Sequence, residues 1–452
     1  MKERSLLLEG DIKKTFFKYL IPSVGGMLGT SLYVLGDTMI VGRALGAAGL
    51  AALNISIPLN NVFNGMGLLF GIGGATALSV NKGRKDEEGL NDIFSKSMIM
   101  AFIVGLILTL IRIFFLDKLS YMMGASSSTI VMVKDYLGVL MSFSIFFLLN
   151  VCLTVFVRND GAPKLAMAGM LTGSIMNVLL DYIFVFKFGW GMAGAAFATG
   201  LSPVIGLSIL STHFISKKNK IKFIIPKTDF AIIKRILVNG GSSFIVELSA
   251  GLVIFAFNNS LHKIRGDLGI SAYSIIANLS LIFAAIFIGV GQALQPIVSF
   301  NYGADRMDRV YETVRLAVYT SLGMGIFFYS IGLFFPKFLV SLFIDADKEL
   351  MDMTVRGIRL YFLAFILMGL NVTLTSYIQS KEHARVSLKI SLARGFVFVV
   401  ILLMILPRFI GIDGVWLTLP IAELITTVLS IIYFKKYRKA IFYSLKEIKS
   451  KG

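Results

Sequence analysis

Twelve long apolar runs divide this chain of 452 residues. Each is about 20 residues or longer, which is the length that an α-helix needs to cross a bilayer. Their approximate limits are 16–40, 50–80, 93–116, 130–157, 165–187, 193–215, 236–260, 271–300, 312–336, 352–379, 386–407 and 413–434. Only 15% of the residues are charged, against about 25% in soluble domains. We therefore predict an all-α polytopic membrane protein with twelve transmembrane helices.

Glycine and proline in two of the spans predict departures from a straight helix. Pro22 removes one helical hydrogen bond, so it is expected to bend the first span. The eighth span carries Gly289, Gly291 and Pro296 and is a candidate for a broken helix. The first fifteen residues lack the apolar core of a signal peptide, so we expect the first span to direct the chain to the membrane.

The distribution of basic residues predicts the orientation of the chain. Lys and Arg outnumber Asp and Glu by 44 to 26, a net charge of +18. When the loops are assigned alternately to the two sides, 30 basic residues fall on the side of the termini and eight on the other. Basic residues collect in cytoplasmic loops. The excess therefore predicts cytoplasmic termini and no nucleic-acid partner.

An internal repeat divides the chain into two halves of six spans. The pattern Gly-x-Gly-x-Ala occurs at 71–75 and again at 289–293, and Gly-x-x-Gly occurs at 191–194 and again at 411–414. The pattern Leu-Asn-Val-x-Leu-Thr at 149–154 recurs at 370–375. Since six is an even number, the halves have the same orientation and are expected to be related by an axis along the membrane normal.

A basic segment between the halves predicts the domain organisation. The stretch 216–235 contains seven Lys and Arg residues. We predict a first lobe, a basic cytoplasmic linker, a second lobe and a basic cytoplasmic tail. Their limits are 1–215, 216–235, 236–434 and 435–452. Paired bundles of this kind place a substrate site between the lobes near the middle of the membrane, which is transporter architecture.

Acidic residues inside two spans of the first half predict a site for a coupling ion. Placing a carboxylate at the centre of a span costs about 2.5–3.5 kcal/mol of insertion free energy. The presence of Asp37 and Asp181 inside spans therefore requires a structural or functional explanation. Asn177 lies four residues before Asp181 and shares its helix face. Thr199, in the small-residue stretch that opens the sixth span, adds an oxygen donor. Two acids with an amide and a hydroxyl group suit a proton or a partly dehydrated Na⁺.

The acids of the second half allow structural as well as functional interpretations. Glu247 either pairs with a polar group elsewhere in that half or serves a substrate or ion. Glu423 has a structural partner available in Arg394, one span earlier, and an intramembrane pair would neutralise both. Asn150 and Asn371 are related by the repeat and could bridge helices. The single cysteine, Cys152, excludes an intramolecular disulfide.

Five stretches of the chain resemble the MATE (multidrug and toxic compound extrusion) family of cation-coupled exporters, in particular its bacterial MepA-like branch. The resemblance covers roughly residues 10–435. Its most specific stretches are DTMIVGRALG (37–46), GIGGATALSVNKGR (71–84), VRNDGAPKLAM (157–167), NVLLDYIFVF (177–186) and GMAGAAFAT (191–199). The resemblance implies two six-helix lobes around a V-shaped cavity.

The resemblance also implies roles for individual residues. Asp37, Asn177, Asp181 and Thr199 match a cation and proton site in the first lobe. Glu247 matches a seventh-helix acid of a branch that couples to Na⁺, and Asn371 is the nearest counterpart of that branch's tenth-helix acid. Pro22 matches a first-helix proline associated with bending.

The expected function is export of cationic, amphipathic drugs or toxins in exchange for H⁺ or Na⁺. No cofactor is expected beyond the coupling cation; Na⁺, if used, would bind at Asp37, Asn177, Asp181 and Thr199. The resemblance further implies a bacterial cytoplasmic membrane as the location. We expect a monomer in contact with membrane lipid.

Two other classes are weighed against this expectation. A flippase for lipid-linked precursors would need several basic residues in its cavity to bind a pyrophosphate, whereas the spans offer mainly Arg394 and Arg112 against four acids. An enzyme is not expected, because the three histidines are far apart in sequence and neither an HExxH nor a Walker A motif is present.

Overall fold

The computed structural model describes residues 7–86, 88–216, 219–227, 229–343 and 347–450. This part of the chain is helical apart from short turns and the segment 219–227, which is neither helix nor strand. Twelve membrane-length helices follow one another: α1 (12–45), α2 (47–83), α3 (Glu88–Met122), α4 (130–159), α5 (163–187), α6 (Gly191–Ile215), α7 (230–265), α8 (267–303), α9 (Met307–Phe334), α10 (Lys348–Ser380), α11 (Ala384–Ile410) and α12 (Ile412–Ser450).

The count of twelve includes two very long helical segments that each contain one sharp break. The segments Ile12–Gly83 and Phe230–Gly303, with 72 and 74 residues, each contain one non-helical residue, Gly46 and Gly266. Each segment therefore crosses the membrane twice. α4 is a single span that bends by 54° between its two helical parts. The twelve-span prediction is confirmed for the part of the chain that the structure describes.

The internal repeat is visible in the backbone of the turns opposite the termini. Gly46 and Gly266 have φ angles of 64° and 58°, and Gly191 and Gly411 have φ angles of 57° and 59°. This left-handed region is open to glycine without strain. Both pairs have the spacing of the repeated Gly-x-x-Gly pattern, so equivalent glycines form equivalent turns in the two halves.

The predicted candidate break in the eighth span is wrong. Gly266 is the non-helical residue of its segment, and α8 continues through Gly289, Gly291 and Pro296. The glycines serve close packing instead. A Cβ atom at Gly289 would lie 2.8 Å from the Cα of Val24 in α1, and one at Gly291 would lie 2.5 Å from the Ser376 hydroxyl in α10.

The basic segments differ in their structure. α7 already begins at Phe230, because the Asp229 side chain caps it by accepting a hydrogen bond from the Ala231 N–H at 2.8 Å. In the tail, α12 continues to Ser450. Lys217 and Lys218 of the predicted basic linker and Lys451 of the predicted basic tail lie outside the described residues, as do Lys2 and Arg4 among the basic residues counted on the side of the termini.

Buried apolar side chains form one cluster in each lobe and a third between the lobes. The first cluster contains residues of α1–α6 together with Ile221 of the linker and Ile236 of α7, and the second contains residues of α7–α12. The third joins Phe16, Tyr19 and Leu20, at the start of α1, to α8 residues such as Leu294. The lobes are therefore packed together on the side that carries the start of α1, which we call the terminal side.

Glycines allow the backbones of the two lobes to touch on the terminal side. A Cβ atom at Gly73 of α2 would clash with the carbonyl oxygen of Ile236 in α7. One at Gly83 would clash with the carbonyl oxygen of Phe300 in α8, and one at Gly303 with that of Val80. Small residues permit such close helix approach in membranes.

Polar side chains join the lobes at the same level. Gln295 of α8 accepts a hydrogen bond from Asn159 at 2.9 Å and donates one to Thr76 at 3.2 Å. Arg235 of α7 donates to Asn81 of α2 at 2.9 Å and forms an ion pair with Glu382 at 2.7 Å. Polar contacts thus reinforce the packed closure of the terminal side.

Candidate functional site

Two buried acids meet inside the first lobe. Asp37 of α1 is 6% exposed and Asp181 of α5 is fully buried, and their carboxyl groups lie within hydrogen-bonding range of each other. Glycines on α1 allow this approach. A Cβ atom at Gly29 would clash with Leu171 of α5, and one at Gly36 would lie 3.1 Å from Val178.

Asn177 and Thr199 lie beside the acid pair. With its NH₂ group facing the carboxylate, Asn177 donates to Asp181 Oδ2 at 3.2 Å, and its Oδ1 accepts from the Thr199 N–H at 3.2 Å. Amide orientation is assigned from such partners. The Thr199 hydroxyl donates to the Ala195 carbonyl at 3.0 Å, so its lone pairs remain available as acceptors.

One oxygen of each acid has no partner in the described part of the chain. Asp37 Oδ1 and Asp181 Oδ1 are both buried without a hydrogen bond. Two adjacent buried carboxylates cannot both stay ionised, because like charges repel strongly where water is excluded. The arrangement therefore requires a proton or a cation. Carboxylate, amide and hydroxyl oxygens are suitable ligands for Na⁺, and the same carboxylates can hold H⁺.

Two tyrosines near the acids were not predicted from the sequence. Tyr33 lies close enough to interact electrostatically with Asp37 and Asp181. Its position four residues before Asp37, on the same helix face, is a signal that could have identified it. Tyr136 of α4 is 1% exposed and lies close enough to Thr199 for their side chains to interact. No sequence spacing indicates Tyr136, because α4 is brought there by the fold.

The backbone widens next to the acid pair. Residues Tyr182–Lys187, directly after Asp181, form a π-helical turn. Such turns often occur at functional sites, because the extra residue per turn shifts the register of the following side chains. A second π-helical turn, Ala393–Val397, lies in α11.

That second turn carries Arg394, which pairs with Glu423. Arg394 Nε donates to Glu423 Oε1 at 2.8 Å, and Asn371 Nδ2 donates to Glu423 Oε2 at 2.6 Å. Thr427 in turn donates to Asn371 Oδ1 at 3.1 Å. The predicted partner of Glu423 is therefore present, and Asn371 belongs to this neutralised network.

Glu247 lies at the boundary between the lobes. A Cβ atom at Gly65 of α2 would be 3.3 Å from the Glu247 Cβ, which places Glu247 against the opposite lobe. Among the described residues its carboxylate has no hydrogen-bond or ion-pair partner. The polar partner in the second half that the sequence allowed is therefore absent among the described residues, and Asn371 forms its hydrogen bonds with Glu423 and Thr427 instead.

Pro22 lies inside α1 without breaking it. Gly46 is the residue with non-helical backbone angles between Ile12 and Gly83, so the helix runs continuously through Pro22. A bend at Pro22 in another conformation remains a prediction.

The fold and the site together define a two-lobe, twelve-helix membrane transporter. A model of the MatE family matches residues 22–183 and again 242–405, one match in each half. The chain therefore belongs to the MatE family. It is a transporter and not an enzyme. The starts of the two matches, at positions 22 and 242, keep the spacing of the internal repeat.

Similar proteins and structures extend over nearly the whole chain. The chain is 25% identical over 431 residues to the multidrug export protein MepA of Staphylococcus saprophyticus, with 94% of each chain covered. The structure of an outward-facing multidrug resistance MATE family transporter superposes with a TM-score of 0.91 at 23% identity, covering 97% of this chain and 98% of that one. A MATE structure in complex with MaL6 gives a TM-score of 0.92, also at 23% identity, covering 97% and 99%.

Proposed function

We propose that this protein is a secondary active multidrug efflux transporter that exchanges cationic, amphipathic compounds for H⁺ or Na⁺. The observation that carries the proposal is the contact between Asp37 and Asp181, each with one buried oxygen that lacks a partner. The similarity to MepA, named as a multidrug export protein, supports the substrate class.

Asp37, Asn177, Asp181 and Thr199 form the proposed coupling site. In one loading state the cation or proton satisfies the unpartnered oxygens, and in the other it is released. Such a site drives transport only if the ion binds the two facing states with different affinity. Glu247 is the residue proposed to attract a cationic substrate, since its carboxylate is unpaired and lies between the lobes.

The packing of the lobes supports a conformation closed on the terminal side and open on the other. With 30 basic residues on the side of the termini, we assign that side to the cytoplasm. In the proposed cycle, the lobes 1–215 and 236–434 rock against each other, the linker 216–235 connects them, and Pro22 bends α1. Release of the glycine contacts between α2 and α7 would open the cytoplasmic side.

The decisive experiment measures flux of a fluorescent monovalent cation in proteoliposomes with Na⁺ and H⁺ gradients imposed separately. We expect uphill flux with at least one gradient and none with either gradient for Asp181→Asn. Asp117→Asn, which changes an exposed acid that pairs with Lys134, is the matched control. Flux that does not depend on either the Na⁺ or the H⁺ gradient would overturn the proposal. Binding of a polyprenyl pyrophosphate without cation flux would favour a lipid-linked precursor flippase instead.

A further inference from the structure

The linker between the lobes is fastened to the surface of the first lobe. Four of its backbone N–H groups donate to side chains of that lobe at 2.7–2.9 Å. The donor and acceptor pairs are Lys220 with Asp160, Lys222 with Asn91, Ile224 with Ser95, and Lys227 with Asp92. Three of the acceptors lie in the first two turns of α3. The linker is therefore part of the first lobe's surface.

The fastened linker presents apolar and basic side chains together. Phe223 is 62% exposed and Ile225 is 93% exposed, while Lys222 and Lys227 are exposed beside them. Asp92, whose carboxylate accepts the Lys227 N–H, forms an ion pair with Lys96 at 2.7 Å, so its charge is already balanced by Lys96. Exposed apolar residues next to lysines, at the end of membrane-spanning helices, are typical of segments that contact anionic lipid.

A groove of about 420 Å³ lies directly beside this part of the linker. Its walls are entirely apolar and come from α3, α4, the end of α6 and the linker itself. On α3, Phe94, Met98 and Phe102 follow one another at intervals of four residues and so share a face. Phe223 of the linker lines the groove together with Phe214 of α6, whose ring stacks on Phe94 at 5.8 Å.

The depth of the groove corresponds to one leaflet of the membrane. From Phe94 to Phe102 the helix rises by about 12 Å, and one leaflet contributes about half of the roughly 30 Å hydrocarbon core. The groove joins the outer surface of α3, where Phe102 is 46% and Ile103 is 48% exposed. It therefore opens to lipid rather than to the space between the lobes.

The charge around the groove favours an anionic lipid over a cationic substrate as its occupant. A cationic substrate would find no acid in the walls and would meet lysines near the linker. An acyl chain attached to an anionic head group fits both parts, because the chain fills the apolar groove and the lysines attract the phosphate.

We propose that this groove binds one acyl chain of an anionic phospholipid from the leaflet on the terminal side, with its phosphate paired to Lys222 and Lys227. The lipid would seal the linker against α3. This site is separate from the coupling acids, so the proposal is independent of which ion drives transport.

Native mass spectrometry of the delipidated full-length protein in detergent tests the proposal. The probes are phosphatidylglycerol and phosphatidylcholine with identical acyl chains, each titrated separately. We expect the first phosphatidylglycerol to bind at least fivefold more tightly than the first phosphatidylcholine. Lys222→Gln and Lys227→Gln should each reduce that preference about fivefold, since each lysine near the surface contributes roughly that factor.

A filled groove provides the second arm of the test. Ile99→Trp places a large ring in the groove and should abolish the tight first binding event for both lipids. The control Ile113→Trp lies on the same helix at a position that is 63% exposed and should bind as the wild type does. Equal affinity for the two lipids in the wild type, or unchanged titration by Ile99→Trp, overturns the proposal. If Ile99→Trp does not fold, an unchanged preference in the two exposed lysine variants also overturns it.

Discussion

The buried acids of the two lobes differ in how their negative charge is balanced. In the first lobe, Asp37 and Asp181 face each other, and one oxygen of each has no partner among the described residues. In the second lobe, the Glu423 carboxylate accepts from Arg394 and Asn371, at 2.8 and 2.6 Å. The first arrangement carries excess negative charge that an exchangeable cation can neutralise. The second is neutralised by the protein itself and holds α10, α11 and α12 together.

This contrast indicates where ion coupling can occur in a repeat protein. Both lobes have the same helix arrangement, and each has a π-helical turn beside its polar cluster. What separates them is the balance of charge, because the second cluster contains one acid, Glu423, with a basic side chain, Arg394, beside it. The permanently charged guanidinium neutralises Glu423, so the proposed assignment of coupling to the first lobe rests on the charges rather than on the fold.

A second contrast lies at repeat-related positions on the terminal side. Asp160 follows α4 and Lys381 follows α10, with the same spacing as the repeated Leu-Asn-Val-x-Leu-Thr pattern. Burial would raise the pKa of Asp160, but hydrogen bonds from His213 and the Lys220 N–H, together with the charge of Lys82, lower it below its ordinary value. Burial lowers the pKa of Lys381 to about 8. The acid is stabilised in its charged form, whereas the lysine is not.

The strongest effect should come from removing a charge from the acid pair. Asp37→Asn and Asp181→Asn should each reduce drug flux in proteoliposomes more than tenfold, because a single remaining carboxylate no longer offers the paired site. Expression and Tm should stay near the wild-type values, since an amide keeps the shape of the side chain. Wild-type flux in both variants would show that coupling lies outside this cluster.

The next strongest effect should be on stability, in the second lobe. Arg394→Met alone should lower the free energy of unfolding by about 3 kcal/mol, because it leaves a buried carboxylate without its cation. The double variant Arg394→Met/Glu423→Gln should recover most of that loss and retain transport. Thermal unfolding in detergent and flux in proteoliposomes check the two parts. A stable double variant without transport would contradict the structural role of this pair.

A smaller effect is expected at the boundary between the lobes. Glu247→Gln should weaken binding of a monovalent cationic substrate about fivefold, equivalent to roughly 1 kcal/mol for one charge in a partly hydrated cavity. Binding of a neutral substrate of similar size should not change, and Glu247→Asp should preserve most of the affinity. Equilibrium binding in detergent is the measurement. Equal losses for charged and neutral substrates would refute an electrostatic role.

The weakest effect concerns pH and the repeat-related residues. The folded-state pKa of Lys381, about 8, lies below its ordinary value of 10.5. Between these values the unfolded state binds more protons, so stability rises with pH. The wild-type Tm should therefore rise by a few degrees across this window, and Lys381→Met should flatten the rise.

Asp160→Asn tests the residue whose charged form, unlike that of Lys381, is favoured by folding. Because the pKa of Asp160 is lowered on folding, its contribution to stability is present above its ordinary value of 3.8 and is lost as the pH falls further. The variant should be less stable than the wild type at neutral pH, and the gap should narrow in acid. A gap that is constant with pH would indicate that the charge of Asp160 is not what matters.

The twelve spans, the repeat and the buried acids could all be predicted from the sequence. Hydropathy and helical spacing are local properties, so the face shared by Asn177 and Asp181, and the small residues before Thr199, were sufficient to single out the cluster that we propose as the coupling site. The pairing of Glu423 with Arg394 also followed, because a buried charge needs a partner and few candidates exist in so apolar a chain.

The contacts between helices that are distant in sequence could be seen only in the folded molecule. The glycines of α8 suggested a break, but the helix is unbroken and these glycines allow it to pack closely against α1 and α10. A glycine that breaks a helix and a glycine that permits close packing look the same in the sequence. Tyr136 reaches Thr199 from another helix, and Glu247 faces Gly65 of the other lobe. The order of residues already establishes which charges are buried, because a membrane span excludes water along its length. Helix packing establishes which of those charges are neutralised, because a partner's distance depends on how the helices rotate against each other.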